Sequence, residues 1–456
     1  MKSDREKLQN MNRIFAAILI LCVSMLPVLG QTEAFSSVQK NAFVIKNATI
    51  IDGTGRAGFR GDVRIKDGKI VKIGKIKTKS GDEVIDAGGK VLAPGFIDIH
   101  KHSGRGLLSE GTAANQVSQG ITTILVGPDG GSPFPIADYF DKLSGKIAPN
   151  VGAFIGHATL REQVMNGDYT RKATDGEIAK MSVLLEQSMK EGAFGLSSGL
   201  EYDIGFSAST GELVALAKVA AKYGGIYMTH MRDEEEGLLD AIREAIRIGK
   251  EAKIPVQISH IKAGNRNVWG KSAEAIALIE AERRNGLDIT ADAYPYTAWA
   301  STITVLVPSR KHEDKSEIEK GLSNVGGADK VLITSCAAHR DYQGKTLEEI
   351  ANAQNVSPAD VYIQIVKDGG AGVVCNSMNE ADVKAFYQEP WVMVSSDGGI
   401  GSRHPRGTGT FTRVLGRFVR ENNWFPLEEA IRKMSAFPAN RLGLKDRGLI
   451  KKGKKA

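Results

Sequence analysis

Between residues 95 and 395 the chain places eight short apolar runs in series, with helix-patterned stretches lying between them. The runs are Gly95–Ile99, Ile121–Val126, Val151–Ile155, Ala193–Leu196, Ile226–Thr229, Val256–Ser259, Leu287–Ala291 and Trp391–Ser395. Short continuous apolar segments of this kind read as strands covered on both faces, the signature of parallel sheets. Among the intervening stretches, Thr174–Glu191, Gly211–Tyr223, Glu236–Ala252 and Ser272–Asn285 carry amphipathic helical spacing. Parallel neighbours require crossover connections, and helices supply them. The pattern predicts an α/β fold, a (β/α)8 TIM barrel, with an open doubly wound sheet as the alternative.

What stands at the ends of these strands favours the barrel. The first run leaves Ala93-Pro94-Gly95 and ends at His100 and His102. Residues two apart on a strand share a face, so both imidazoles can approach one point. Asp129 follows the second run, His157 the third, His230 the fifth and His260 the sixth. Asp292 and Tyr294 follow the seventh, and Asp397 the eighth. In a barrel the carboxyl ends of all strands meet at one mouth. One such histidine would pass as an ordinary core residue; five of the chain's eight at equivalent positions point to metal binding or catalysis. His312, His339 and His404 lack this placement and read as surface or supporting residues.

The remaining segments assign themselves more simply. Residues 1–30 have a basic start ending at Arg13, an apolar stretch Ile14–Leu29 and a Val28-Leu29-Gly30 cleavage pattern, which read as a signal peptide. The expectation is export to a bacterial periplasm or secretion, with an uncleaved anchor as the alternative and no stable membrane span after cleavage. Residues 31–92 form the first part of a small β domain whose Val63–Ile73 stretch folds back at Asp67-Gly68 as a hairpin. The barrel is expected over 93–441, and 442–456 begin a return to the small domain. The net charge of +7 is accounted for by a net +2 in residues 1–30 and a net +5 in residues 445–456, so the body is near neutral. A nucleic-acid footprint needs a basic face on the folded body, and none is expected. Cys336 and Cys375 are too few for a disulfide framework and read as buried thiols.

The chain also resembles the amidohydrolase superfamily, and within it the N-acyl-D-amino-acid deacylases, or D-aminoacylases. The similar segments are Ala93–His102, Gly156–Arg161, Gly195–Thr210, Thr229–Glu234, Ser259–Lys262, Asp292–Tyr296, Ser396-Asp397-Gly398, His404–Gly407 and Arg447-Gly448. The resemblance implies a metal-dependent hydrolase barrel with one or two Zn2+ ions and a small β-sandwich domain. His100 and His102 would bind one ion and His230 and His260 the other. Asp397 would be both a metal ligand and the catalytic acid/base. Tyr202, Lys262, Tyr294 and Arg406 would surround the substrate, with Lys262 and Arg406 on its α-carboxylate, and His157 would assist the oxyanion or support the site.

Two departures from the family pattern stand out. The loop after strand two usually carries a metal-bridging cysteine; here Pro128-Asp129-Gly130 puts a carboxylate there, a harder bridging ligand. Other superfamily branches, such as the hydantoinases, bridge with a lysine at the end of strand four, and Ala193–Ser198 contains none. The chain also ends at Ala456, soon after Gly448–Gly453, where the family continues with further small-domain strands; a truncated small domain with exposed edges is expected. The implied activity is hydrolysis of the amide in an N-acyl-D-amino acid, metal-activated water attacking the carbonyl and Asp397 moving the proton. The alternatives are a dipeptidase for peptides with a C-terminal D-residue and an inactive barrel that serves as a binding protein.

Overall fold

The computed structural model describes residues 42–456; residues 1–30, read above as a signal peptide, lie outside the described residues. Strand β1 (Phe43–Ile50) runs antiparallel to β2 (Phe59–Lys66), and β2 antiparallel to β3 (Lys69–Gly74). Asp67 and Gly68 both adopt positive φ (51° and 67°), as the sequence expectation of a tight two-residue hairpin requires. Strands β4 (Glu83–Asp86) and β5 (Val91–Leu92) lie parallel to β1 and complete a five-stranded sheet. The C-terminal residues return to it: Gly453 N–H donates to Ile70 O (2.8 Å), and Ile70 N–H to Lys454 O (2.9 Å). Ile450 joins Ala48, Ile50, Val63 and Ile70 in the sheet's own apolar cluster. On the opposite side, all four residues of β4 are exposed.

The eight barrel strands fall where the apolar runs predicted them. They are β6 (Phe96–Asp98), β7 (Ile121–Val126), β8 (Asn150–Ala153) continued after Phe154 by β9 (Ile155–Gly156), β10 (Gly195–Gly199), β11 (Ile226–His230), β12 (Val256–Ile258) and β13 (Ile289–Ala293). The eighth follows an insertion and is described with it. All pairings among these strands are parallel.

The interval between the seventh and eighth barrel strands holds an element that the strand-and-helix pattern did not reveal. Strand β14 (Trp299–Thr302) pairs antiparallel with β16 (Gly372–Cys375), which pairs antiparallel with β15 (Val331–Ser335). Helix Leu347–Gln354 packs on β15 and against helix Pro358–Lys367, which packs in turn against helix Lys315–Val325. The eighth barrel strand, β17 (Val392–Val394), then pairs with β13. The ring closes between the first and last strands: Asp397 N–H donates to His100 O (3.1 Å) and His102 N–H to Gly398 O (2.9 Å).

Strand alternation explains how the mouth is furnished. Ile226 and Met228 pack with Ile97, Ile99, Leu125, Phe154 and Met393 inside the barrel, whereas Tyr227 packs outward against the helices. His230 continues the inward series of Ile226 and Met228, and Asp397 that of Met393. The lower end of the barrel is stoppered by Ala439 and Leu442, at the end of helix Ala436–Arg441. Cys336 and Cys375 are free, buried thiols, as expected.

Candidate metal centre and pocket

Asp129 is the hub of the mouth. Its Oδ2 lies 3.0 Å from His100 Nε2, 3.2 Å from His102 Nε2 and 3.4 Å from His260 Nε2. Asp397 Oδ1 lies 3.1 Å from His102 Nε2 and 3.4 Å from His100 Nε2. His230 Nδ1 stands 2.9 Å from His260 Nε2. Three donor groups result among the described residues, His100/His102/Asp129/Asp397, Asp129/His230/His260 and Glu201/His230/Glu234, with the donor atoms of each inside 4.8 Å of one another. The first two share Asp129, so six of the residues singled out in the sequence converge. Asp129, His260 and Asp397 all hold positive φ (54°, 33° and 47°), a costly conformation for residues with a Cβ that re-aims their side chains at the strand ends.

A second layer of carboxylates fixes which nitrogen of each ring faces the centre. His100 Nδ1 meets Asp292 Oδ1 at 3.2 Å, His230 Nε2 meets Glu201 Oε2 at 2.6 Å, and His260 Nδ1 meets Glu234 Oε1 at 3.0 Å. An ionised carboxylate only accepts, so the outer nitrogens of His100 and His230 carry protons, and their inner nitrogens would present lone pairs to a bound cation. His230 Nδ1 and His260 Nε2 lie 2.9 Å apart, so in the protein alone one ring nitrogen donates to the other. A bound cation would take the place of that proton. Asp129 Oδ1 is buried with no hydrogen-bond partner and would suit the same cation. Four imidazoles and two carboxylates form an N/O donor set suited to a divalent transition metal, so the residues fit such an ion.

Around this centre lies a cavity of about 330 Å³. Lys262 and Arg406 line it, together with Tyr202, Glu201, Glu234, Glu235 and the insertion residues Trp299–Thr302 and Val305. Lys262 Nζ is held by Glu234 Oε2 in a short contact and lies 2.7 Å from His260 Nδ1. Arg406 donates through NH1 to Asp397 Oδ2 (2.6 Å) and through NH2 to Ala300 O (3.2 Å); its Nε is buried without a partner. Tyr202 OH is 3.1 Å from His230 Nδ1. Tyr294 stands behind the cavity wall, its ring 4.9 Å from the Arg406 guanidinium, its hydroxyl turned to Met378 Sδ.

His157 is a correction. Its ring is fully buried and paired with Glu212 Oε1 at 2.8 Å, and it does not line the cavity. The strand ends at Gly156, and His157 opens helix His157–Met165, so its side chain follows a helix face rather than the barrel mouth.

Known proteins resemble this arrangement closely. The profile of the amidohydrolase family matches residues 83–456. The chain belongs to the amidohydrolase family. It is similar to a D-aminoacylase of Alcaligenes xylosoxydans xylosoxydans, at 34% identity over 92% of this chain and 87% of that one. An N-acyl-D-glutamate deacylase of the same organism is 33% identical over 91% of this chain and 86% of its own. Among solved structures, the N-acyl-D-glutamate deacylase of Bordetella bronchiseptica, in complex with zinc and a phosphonate mimic of the tetrahedral intermediate, superposes with a TM-score of 0.83. It is 32% identical, with 91% of this chain and 89% of that chain covered.

The electrostatics of this amidohydrolase follow from crowding acids and bases in one buried place. Burial opposes protonation of His100, yet the carboxylates of Asp129, Asp397 and Asp292 outweigh it and carry its pKa well above the usual imidazole value. For His260, burial and Lys262 pull down, while Glu234, Asp129 and Asp397 raise it to about 9. Asp129 and Asp397 remain ionised: burial works against them, but the neighbouring histidines and, for Asp397, Arg406 hold both far below the carboxylate range. The positive charge these carboxylates draw onto the rings in the protein alone is the charge that a metal cation would replace. His404, read from sequence as surface or supporting, is buried: its Nε2–H donates to Ala298 O (3.0 Å), and its Nδ1 accepts from Arg406 N–H (3.0 Å).

Glu201, Glu234 and the insertion wall are the residues that sequence reasoning missed. Their signals were adjacency to Tyr202 and the i, i+4 spacing from His230.

Proposed function

We propose that this chain is a zinc-dependent hydrolase that removes the acyl group from N-acyl-D-amino acids. The observation that carries the reading is the joining of two donor groups through Asp129, beside a cavity lined by Lys262 and Arg406. The relatives' activities and the zinc of the Bordetella deacylase agree with it. His100, His102, Asp129 and Asp397 would hold one ion, and Asp129, His230 and His260 a second. Bound zinc supplies Lewis acidity, which makes a water nucleophilic near neutral pH and polarises the scissile carbonyl.

The remaining work falls to side chains. Asp397 takes the proton of the attacking water and returns it to the leaving amine nitrogen. Arg406, on Asp397 Oδ2, leaves Oδ1 as the oxygen that faces the donor cluster. Lys262 and the unpartnered Nε–H of Arg406 attract the substrate's α-carboxylate, and Tyr202 fixes its orientation from the His230 side. Tyr294 acts from behind, as a face for the Arg406 guanidinium. The charged-then-apolar residues 1–30 support export as the setting for this chemistry.

The decisive experiment assays zinc-loaded protein against N-acetyl-D-amino acids, their L-enantiomers and dipeptides with a C-terminal D-residue. Cleavage of the D-acyl compounds alone is expected. Cleavage of dipeptides alone would transfer the activity to a peptidase, and cleavage of nothing by protein with a full metal complement would remove the hydrolase reading.

A further inference from the structure

The side chains proposed to hold metal differ sharply in their access to solvent. Those of His100, His230, His260, Asp129 and Asp397 are 5% exposed or less, whereas that of His102 is 42% exposed. The donor cluster therefore opens on the His102 side. There His102, Pro128 and Gly131 border both the catalytic cavity of about 330 Å³ and a neighbouring cleft of about 510 Å³, so the two spaces join. Lys262, Arg406 and Trp299–Thr302 line the cavity but not the cleft. The cleft has apolar surface of its own: the partly exposed Pro133-Phe134-Pro135 segment, the buried Tyr139, and Leu108, which is 53% exposed on helix Gly106–Ser109. Exposed Arg105, Lys142, Asp138 and Glu162 add two charges of each sign, and Lys101 is held in the wall by Ser396 and Asp98. What fills the cleft therefore needs no net charge of its own.

We infer that the cleft past His102 is the acyl subsite, and that the substrates it serves carry acyl groups much larger than acetyl, with an uncharged aliphatic or aromatic body. The inference rests on the deacylase reading. The scissile carbon of an N-acyl amino acid bears the nitrogen on one side and the acyl chain on the other. On the nitrogen side, the α-carboxylate is committed to Lys262 and Arg406 and the amino-acid side chain to the insertion wall, with the carbonyl at the donor cluster. The acyl chain is left the direction past His102, where the cavity continues. An acetyl methyl stops at the donor cluster, whereas a longer chain displaces water from Phe134 and Leu108. That contact is the same before and during bond cleavage, so its gain falls on KM rather than kcat.

The test compares kcat/KM for N-octanoyl-D-leucine and N-acetyl-D-leucine on one zinc-loaded preparation, then on Leu108→Asp and Gly131→Leu. The octanoyl compound is expected to lead by roughly 10-fold or more, mainly through KM. Leu108→Asp alters an exposed position in the cleft and should shrink that lead. Gly131 lacks a positive φ, and a Cβ added there meets nothing within 4 Å, so Gly131→Leu places its side chain in open space where cavity and cleft join. It should abolish the lead. Equal turnover of the two substrates by the unaltered protein, or a ratio unchanged in both variants, overturns the inference. So does an equal fall for both substrates, which would make the cleft a passage for water or product. Calorimetric binding of octanoate and acetate to the same preparations reads the cleft without turnover. Tighter octanoate, weakened by Leu108→Asp, supports the inference and equal binding overturns it, while failure to cleave any N-acyl-D-amino acid would count against the deacylase reading instead.

Discussion

Glu201 Oε2 sits 2.6 Å from His230 Nε2, on the side of the ring turned away from the donor cluster. The contact puts the proton on Nε2 and turns Nδ1 toward His260 Nε2 and the Tyr202 hydroxyl. Replacing Glu201 with Gln removes the anion that orients the ring. The expected result is metal affinity weakened on the order of 10- to 100-fold at the His230/His260 position, with the His100/His102 position retaining its ion. Metal titration followed by elemental analysis measures this. Asp292→Asn, which acts on His100, should produce the opposite pattern.

Asp397 combines two tasks that a single substitution separates. Asp397→Asn keeps a donor oxygen near His100 and His102 but cannot take up a proton. Turnover should fall roughly 100- to 10,000-fold while much of the bound metal remains. Steady-state kinetics and metal content on the same sample check it. Full activity in the variant would remove Asp397 from proton transfer.

Arg406 uses its planar fork on Asp397 and Ala300 O and still presents Nε. A lysine supplies the charge without that geometry. Arg406→Lys is expected to lower kcat/KM roughly 10- to 100-fold, mainly through KM. A change confined to kcat would place the arginine on Asp397 alone.

His404 makes stability depend on pH in a defined window. Burial, then the Arg406 charge, lower its pKa to about 4 from an ordinary value of 6.5. Between these values the unfolded chain binds a proton that the native state refuses, so unfolding free energy falls as pH drops from 6.5 to 4. The full cost, on the order of 3 kcal/mol, is reached below the lower value. Denaturant titrations of the protein and of His404→Asn across that range should show the slope in the former and a flatter line in the latter.

The barrel was legible because parallel strands buried on both faces leave uninterrupted apolar runs, as in Ile121–Val126 and Ile226–His230. The donor cluster was legible because polar residues such as His230 and Asp397 break those runs at their carboxyl ends. His157 misled because the strand stops one residue earlier and a helix begins. Glu201 and Glu234 look like ordinary loop acids until folding buries them against imidazoles. The β14–β16 sheet was hidden by its strands' half-exposed faces and by helices patterned like those of the barrel.

That sheet does more than close one side of the cavity. The carbonyl just before β14, Ala298 O, receives His404, and Ala300 O within β14 receives Arg406, which in turn grips Asp397. A substrate side chain pressing on Trp299–Thr302 therefore leans on the residue that aims the proton-transferring carboxylate. Poorly fitting side chains should be penalised in the speed of bond cleavage as well as in residence, so the insertion works as a gauge whose reading is a rate.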